Sequence, residues 1–322
     1  MTEFWSGKRV LITGCTGLLG AWLTAVLVKA GAEVVGLIRD TAPHSELIRS
    51  QTIRKINVVR GELCNYQLLE RTLAEYEVQI IFHLAAQTIV GIANRAPLST
   101  FETNIRGTYM LLEAARRNST VSGIVVASSD KVYGEQTDLP YVEASSLNGR
   151  QPYDVSKSCA DLIAQTYAQS YSLPVMITRC ANLYGGGDLN WNRLLPGTIR
   201  TVLGGERPII RSDGTIKRDY LYVQDAVRGF LLAAQCLAMD DMYGEIFNLG
   251  MGQPKTALEM VQTVIQISDY PHLEPIILDS VKNEIQDQFL CIDKAQRTLN
   301  WAPQYALEDG LVETMAWYRE FL

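Results

Sequence analysis

Residues 13–20 read TGCTGLLG, and this stretch decides the fold. The apolar run KRVLIT (8–13) leads into it, and LLGAWLTAVLVKAG (18–31) follows it with the apolar spacing of a helix. A buried strand that enters a helix through a turn with glycines three positions apart is typical of a nucleotide-binding βαβ unit. The start of the chain is therefore predicted to be such a unit.

Each glycine of this turn has a separate task. Gly14 permits the tight turn, Gly17 lets the backbone approach a pyrophosphate, and Gly20 allows the helix to pack closely on the strand. The first N–H groups of the helix have no partner inside it, and the helix dipole is positive there, so the turn favours phosphate. The other turn residues predicted to bind the same cofactor are Thr16, Leu18 and Leu19.

Beyond this unit, apolar strand-like runs alternate with helical patterns. Helices are predicted around 65–76, 104–117 and 152–171. The runs are EVVGLI (33–38), INVVRG (56–61), QIIFHLAA (79–86), GIVVASS (123–129) and LPVMITRC (173–180). Continuous apolar strands separated by helices indicate a parallel sheet covered on both faces. The predicted fold class is α/β, with a Rossmann-type doubly wound parallel sheet.

The pattern becomes less regular after residue 182. The segment YGGGDLNWNRLLPG (184–197) is glycine-rich and loop-like, and the elements that follow it are shorter. We expect an NAD(P)-binding Rossmann domain over residues 1–180 and a smaller C-terminal substrate-binding lobe over 181–322. Part of 215–250 is predicted to return to the first domain, because a strand-like run lies at 245–249.

Composition excludes several classes of protein. The 322 residues are 47% hydrophobic, which is enough for a sizeable core. The net charge of −6 gives no sign of a basic surface for nucleic acid. The N-terminal residues run almost directly into a strand, so no signal peptide is predicted, and no apolar run reaches membrane-spanning length. Six scattered cysteines without a CxxC pair favour free thiols, a cytoplasmic location and no metal site.

The end of the second strand reads Arg39-Asp40. Asp40 lies 20 residues beyond Gly20, a suitable distance for a carboxylate that binds the ribose 2′-hydroxyl of NAD. Arg39 complicates the choice, since an arginine there could instead pair with the 2′-phosphate of NADP. NAD is the favoured cofactor, and NADP stays open.

The ends of the third and fourth strands supply further candidates. Glu62 is placed either near the adenine amine, with Leu63 beside it, or on the surface as an ordinary carboxylate. His83 lies in an apolar run and is predicted to be a core histidine. The small side chains of Ala85 and Ala86 would let the cofactor lie close to the backbone. Two more residues complete the predicted cofactor site, Gln87 and Asn104.

The segment PYDVSKS places Tyr153 and Lys157 four positions apart. On a helix both side chains project from one face. A neighbouring ammonium and a cationic nicotinamide ring would lower the pKa of the Tyr153 phenol, whose reference value is about 10, so that it accepts a proton from a substrate hydroxyl. Lys157 is also expected to hold the nicotinamide ribose.

These motifs together resemble the extended short-chain dehydrogenase/reductase superfamily that acts on nucleotide sugars. The motifs are TGCTGLLG, ASSDKVYG, PYDVSK, RCANLYG and GTIKRDYLYVQDA. The resemblance runs through nearly the whole chain. It implies NAD or NADP in the Rossmann lobe, a nucleoside diphosphate sugar in the smaller lobe, and a homodimer that packs through the helix bearing Tyr153. It also implies a catalytic set of Ser129, Tyr153 and Lys157, in which Ser129 would hydrogen-bond the sugar C4 oxygen.

The dipeptide Asp130-Lys131 follows that serine. Within the superfamily, 4,6-dehydratases carry Asp-Glu at this place and CDP-glucose 4,6-dehydratases carry Asp-Lys, which this chain resembles most. After C4 is oxidised, the C5 proton is acidic and the C6 hydroxyl can leave, so a base and an acid are needed. We assign Lys131 as the C5 base and Asp130 as the C6 acid. The alternative interpretation is a solvent-exposed Asp–Lys ion pair that caps the strand.

An acidic protein needs local positive groups to hold a diphosphate. The resemblance places Arg193 and Arg218 at positions that face the diphosphate or nucleoside, and Asn182 at one that hydrogen-bonds the diphosphate or sugar. Gln87 and Thr88 are expected to line the same site.

One late segment departs from the superfamily pattern. Many members have an Arg-Pro-Gly contact to the diphosphate, whereas this chain reads NEIQDQFLCIDKAQ from Asn283, without arginine. The departure favours a CDP-hexose and leaves the nucleotide open. Two alternative functions also stay open, a nucleotide-sugar 4-epimerase and a non-catalytic NAD(P)-binding redox sensor. The sensor is disfavoured because it has no need of all three catalytic residues.

Overall fold

The computed structural model describes residues 2–240, 242–280 and 284–322, and within them the chain forms fourteen strands. They are β1 (Arg9–Thr13), β2 (Glu33–Ile38), β3 (Asn57–Arg60), β4 (Ile80–His83), β5 (Gly123–Ser129), β6 (Val175–Cys180), β7 (Asn182–Tyr184), β8 (Ile209–Ile210), β9 (Lys217–Arg218), β10 (Tyr220–Tyr222), β11 (Ile246–Leu249), β12 (Lys255–Thr256), β13 (Ile276–Ile277) and β14 (Asp287–Gln288).

Thirteen α-helices connect these strands within the described ranges. They are α1 (Thr2–Trp5), α2 (Leu18–Lys29), α3 (Glu46–Arg49), α4 (Tyr66–Glu75), α5 (Val90–Arg95), α6 (Pro97–Phe101), α7 (Gly107–Arg116), α8 (Pro152–Tyr171), α9 (Leu194–Leu203), α10 (Val223–Asp240), α11 (Ala257–Gln266), α12 (Asp293–Leu299) and α13 (Leu307–Phe321). The turns Thr52–Lys55 and Asp130–Tyr133 are 3₁₀-helical, and Glu102–Arg106 is π-helical.

Seven strands form one parallel sheet in the order β11-β6-β5-β4-β1-β2-β3. The switch point of this sheet lies between β1 and β4, because the chain adds β2 and β3 on one side of β1 and then β4 on the other. Ligands of such sheets bind outside the carboxyl ends of the strands at the switch point. The predicted Rossmann-type fold class is confirmed.

Helices cover both faces of the sheet, so its strands are apolar without alternation. The consecutive residues Leu11 and Ile12 of β1 enter two separate buried clusters, one on each face. Helices α2 and α10 pack together, as do α4, α7 and α8. The two cores fix the strand ends from which the site is built.

The chain after β6 forms three small sheets, which pair β7 with β10, β8 with β13, and β9 with both β12 and β14. Strand β11 instead lies beside β6 at the edge of the large sheet. Strand β14 brings the late NEIQDQFLCIDKAQ segment next to β9; its first residue, Asn283, lies outside the described residues.

Membrane spans, metal-binding clusters and disulfides are all absent from the described ranges. No helix there has both the length and the apolarity to cross a membrane. No group of three or more His, Cys, Asp or Glu side chains in the same ranges could hold a metal ion. No disulfide bond joins any of the six cysteines, all of which lie in these ranges.

Candidate active site

The glycine turn between β1 and α2 is packed as its predicted tasks require. Gly14 has φ 77°, and an added Cβ there would lie 2.7 Å from the Ala85 nitrogen. A Cβ on Gly20 would lie 2.2 Å from the Gly14 oxygen. A Cβ on Gly17 would meet only that oxygen, at 3.4 Å, so open space adjoins Gly17.

Gly17 is also the N-cap of α2 and has no side chain to occupy the first N–H groups of the helix. The turn thus offers free donors, a positive dipole end and room beside the backbone, which together fit a pyrophosphate. Of the neighbouring residues, Thr16 and Leu18 are half-buried, whereas Leu19 is buried and its side chain belongs to the core.

Arg39 and Asp40 lie at the carboxyl end of β2. The Arg39 Nε donates to Asp40 Oδ2 at 2.6 Å, and both side chains are exposed. Glu62 is exposed beyond β3. Leu63 is buried against α7, since a Cβ on Gly107 would lie 2.4 Å from Leu63 Cδ2.

The loop after β4 packs against the glycine turn through Ala85. Asn104, buried in the π-helical turn, accepts a hydrogen bond from the Gln87 backbone N–H at 2.7 Å and donates to its carbonyl at 3.1 Å. Its amide also donates to Ser156 Oγ at 2.8 Å. Asn104 therefore joins the loop that carries Ala85 to helix α8, which carries Tyr153 and Lys157. Ala86 is half-buried in that loop, and Thr88 is exposed.

His83 is a core histidine, as predicted. Its Nδ1 is 2.8 Å from Thr13 Oγ1 and its Nε2 is 2.9 Å from Thr108 Oγ1. Burial lowers its pKa to about 3, and the charge of Lys157 acts in the same direction. The ring is neutral and serves packing.

Ser129, Tyr153 and Lys157 converge at the carboxyl end of β5. Burial raises the pKa of Tyr153 well above its ordinary value, and a hydrogen bond with Ser129 opposes this rise. Lys157 Nζ donates to the Ala127 carbonyl at 2.6 Å, and burial lowers its pKa to about 8. The expected lowering of the phenol pKa is therefore not observed: burial outweighs the Ser129 hydrogen bond and the charge of Arg193, and the carboxylates of Asp130 and Asp154 raise the pKa further.

Asp130 begins the 3₁₀ turn after β5 and is only 1% exposed. Its Oδ1 accepts a hydrogen bond from Ser129 Oγ at 3.1 Å. Its buried Oδ2 has no hydrogen-bond partner among the described residues. A buried carboxyl oxygen without a partner is costly unless it carries a proton or meets a ligand.

Lys131 points inward from the same turn. Its Nζ donates to the side-chain oxygen of Gln288 on β14, and the Gln288 Nε2 donates to the Asp130 carbonyl at 3.0 Å. Burial lowers the pKa of Lys131 below its ordinary 10.5; Arg218 acts in the same direction, and the nearby carboxylates oppose it. The alternative of a solvent-exposed Asp–Lys pair is wrong, because Asp130 is buried.

The predicted substrate residues lie on the C-terminal side. Asn182 is half-buried in β7. Arg193 donates to the Leu183 carbonyl at 2.7 Å and pairs with Asp188. Arg218 donates to the Lys217 carbonyl at 2.7 Å, and its NH2 lies 3.7 Å from Glu284 Oε2.

Two features of the site were missed from sequence. One is Gln288, which gives no local signal because its partners lie far along the chain. The other is Arg179, whose signal was available, since a charged residue in the apolar run LPVMITRC requires a buried partner. That partner is Asp161, and the pair lies directly behind the Asp130–Tyr133 turn.

A family model described as GDP-mannose 4,6 dehydratase matches residues 11–314. The chain is 29% identical to the CDP-glucose 4,6-dehydratase of Salmonella typhimurium over 338 residues, which cover 99% of this chain and 93% of that protein.

Solved structures of two activities share the fold. The dTDP-glucose 4,6-dehydratase of Streptomyces venezuelae, solved with NAD bound, has a TM-score of 0.85 and 30% identity and covers 97% of each chain. The UDP-glucose 4-epimerase of Thermotoga maritima, solved with UDP-glucose, has a TM-score of 0.89 and 27% identity, with 97% of this chain and 99% of that chain covered. Fold alone therefore does not separate elimination from epimerisation.

Proposed function

The chain belongs to the GDP-mannose 4,6 dehydratase family, and from that premise we propose that it is a nucleotide-sugar 4,6-dehydratase that uses NAD. It converts a nucleoside diphosphate hexose into the 4-keto-6-deoxy sugar. One observation carries the choice: Asp130 and Lys131 follow Ser129 directly and lie inside the site, with a buried carboxyl and an amine of lowered pKa. Epimerisation at C4 needs neither group.

The cofactor is a nicotinamide dinucleotide held by the glycine turn, whose open space at Gly17 and uncapped helix fit its pyrophosphate. When bound, the nicotinamide would supply the acceptor for the hydride of sugar C4 and the source of the hydride that returns to C6. We propose NAD over NADP because Asp40 already occupies the Arg39 guanidinium and would repel a 2′-phosphate. The nucleotide released on denaturation identifies the cofactor by mass, and NADP there would contradict this choice.

Tyr153 removes the proton of the C4 hydroxyl, while Ser129 holds the C4 oxygen. Because burial raises the Tyr153 pKa in the protein alone, the phenolate needs the positive charge of the bound ring and of Lys157. Lys157 is anchored to the Ala127 carbonyl and so remains on the same side of the helix as Tyr153.

The second pair performs the elimination. Lys131 in its neutral form takes the C5 proton, and the electrons of the C5–H bond form the C5–C6 double bond. The C6–O bond breaks, and its oxygen takes the Asp130 proton and leaves as water. The buried Oδ2 of Asp130 supports this role, since it is free of other partners among the described residues.

The nucleotide is proposed to lie between a Rossmann domain over 1–180, completed by β11, and a lobe over 181–322. Arg218 and Arg193 are its proposed diphosphate contacts. Glu284 beside Arg218 supplies a carboxylate where many members of the superfamily have arginine. Because a carboxylate accepts a hydrogen bond from the exocyclic amine of cytosine, we propose a CDP-hexose as substrate.

Incubation with CDP-, dTDP-, UDP- and GDP-hexoses, followed by mass analysis, tests the function. Loss of one water from a substrate is the expected result. An unchanged mass with an altered sugar would establish the epimerase instead. No turnover of any hexose, with a nucleotide bound, would favour the sensor.

The resemblance to dimeric proteins agrees with one surface feature. Tyr109 on α7 is 36% exposed, and on α8 Leu162 is 52% and Tyr171 55% exposed. We propose that a second copy of the chain covers these adjacent helices. Light scattering that gives the mass of a single chain would contradict the proposal.

The location that we propose is the cytoplasm. Its support is that none of the six cysteines forms a disulfide, which suits a reducing compartment. Fractionation of the source cells that finds the protein outside the cytoplasm would contradict it.

A further inference from the structure

Gln288 spans the gap between the small β9–β12–β14 sheet and the turn that carries the acid and the base. It is fully buried, and both ends of its amide are engaged. Its Nε2 donates to the Asp130 carbonyl at 3.0 Å, and its Oε1 accepts a hydrogen bond from Lys131 Nζ. One side chain therefore contacts both members of the Asp130–Lys131 pair.

The amide is itself held in place by the strand on which it lies. Gln288 is paired with Arg218 in the parallel register of β14 and β9, and the Asp219 backbone N–H donates to the Gln288 carbonyl at 3.2 Å. The carboxylate of Asp219 then accepts hydrogen bonds from Met251 and Gly252 at 2.8 and 3.2 Å. The position of the Gln288 side chain is thus fixed from the C-terminal side of the site.

The chemistry of an amide suits a base better than that of a carboxylate would. Oε1 is an uncharged acceptor, so it binds one N–H of Lys131 and leaves the lone pair of a neutral amine free. A negative charge at the same place would favour the ammonium form, which cannot accept a proton. Glutamine therefore orients the amine without disabling it.

The other charged groups that act on Lys131 come from each element around it. Asp130 belongs to its own turn, Asp154 to α8, Arg218 to β9, and Glu284 precedes β14. Arg218 disfavours the ammonium form, and the three carboxylates favour it. A carboxylate at position 288 would add to the three that favour the ammonium form. It would therefore raise the pKa of Lys131.

We propose that Gln288 is a positioning residue for the elimination step, which fixes the Asp130–Lys131 turn and directs the lone pair of the Lys131 amine toward sugar C5. The inference rests on the proposed dehydratase function. In that step Lys131 gains the C5 proton, Asp130 gives its proton to the departing C6 oxygen, and Gln288 neither gains nor loses a proton.

The test uses three variants of the full-length protein with its bound cofactor. Gln288→Ala removes both contacts, and Gln288→Glu keeps an acceptor but adds a charge. Gln286→Ala is the matched control, because Gln286 lies on the same segment and its exposed amide donates to Thr215 Oγ1, at 3.0 Å, and to no other described residue. Thermal unfolding of each variant verifies the fold.

We expect Gln288→Ala to lower kcat by roughly tenfold to a hundredfold with KM nearly unchanged. C4 oxidation should continue, so absorbance of reduced nicotinamide should accumulate during turnover. For Gln288→Glu, the rising limb of the pH–rate profile should move to higher pH by about one unit. Gln286→Ala should match the parent in both measurements.

Two results would overturn the proposal: a folded Gln288→Ala variant with parental kcat, or a Gln288→Glu profile that coincides with the parent's. If Gln288→Ala does not fold, the pH profile of Gln288→Glu decides the question. A parent protein that eliminates no water from any nucleotide hexose would instead refute the dehydratase function, so the two failures are distinguishable.

Discussion

Asp161 and Arg179 form a buried ion pair through two hydrogen bonds of 2.9 Å, and their side chains are 0% and 2% exposed. Ser128 Oγ donates to the same carboxylate at 2.7 Å, and Arg179 donates to the Tyr133 hydroxyl at 3.0 Å. Ser128 precedes the turn that holds Asp130 and Lys131, and Tyr133 ends it. The ion pair therefore anchors both sides of the turn from beneath.

Removal of one member of this pair should destabilise the protein strongly. Arg179→Met leaves the Asp161 carboxylate buried without its cation, at an expected loss of about 3–5 kcal/mol in the free energy of unfolding. The double variant Arg179→Met with Asp161→Leu should lose less than the single one. Arg116→Met is the control, since the Arg116–Glu113 pair lies at the surface, where solvent screens it and its loss should change stability little. Denaturant unfolding measures all three, and a single variant as stable as the control would contradict the expectation.

Lys131→Met should block elimination and leave the first oxidation in place. We expect dehydration to fall by about 10²–10⁴-fold, since a positioned base contributes that much to a proton transfer. Reduced nicotinamide should persist once substrate is added. Mass analysis of the product and nicotinamide absorbance measure the two effects, with exposed Lys55→Met as the matched control. Dehydration near the parent rate would show that another group is the C5 base.

Arg218→Met should weaken the binding of the nucleotide sugar. Loss of a charge-assisted contact to the diphosphate corresponds to about 1.5–3 kcal/mol, or roughly a 10- to 100-fold rise in KM. Exposed Arg207→Met should leave KM unchanged. Equal KM values for the Arg218 and Arg207 variants would show that Arg218 does not contact the diphosphate.

Acid should remove the stability that His83 contributes. Burial lowers its pKa from the ordinary 6.5 to about 3, so the unfolded chain binds a proton that the folded chain rejects between these values. The stability that the neutral His83 contributes is therefore fully present above pH 6.5 and is lost progressively as the pH falls below that value. Between about pH 7 and about pH 5, the difference in unfolding free energy between the parent and His83→Gln should narrow by about 2 kcal/mol. A constant difference would mean that His83 is not held neutral.

The fold and the members of the site followed from sequence where the signals were local. Gly14, Gly17 and Gly20 predicted the β1–α2 turn, and the spacing of Tyr153 and Lys157 on one helix predicted their common face. The local sequence carries no such signal for the burial of a side chain or for a contact between distant segments. The raised pKa of Tyr153 depends on the packing around it, and Gln288 reaches Asp130 from 158 positions away.

The packing of the glycine turn sets limits on how this protein can be redesigned. A single methyl group on Gly14 would overlap the backbone of Ala85, and one on Gly20 would overlap the backbone of the turn itself. These two positions of the phosphate-binding turn therefore accept only glycine. The Arg39–Asp40 end is exposed and meets no such constraint. Any exchange of one dinucleotide for the other would therefore have to be engineered through those two surface side chains, while the turn is kept intact.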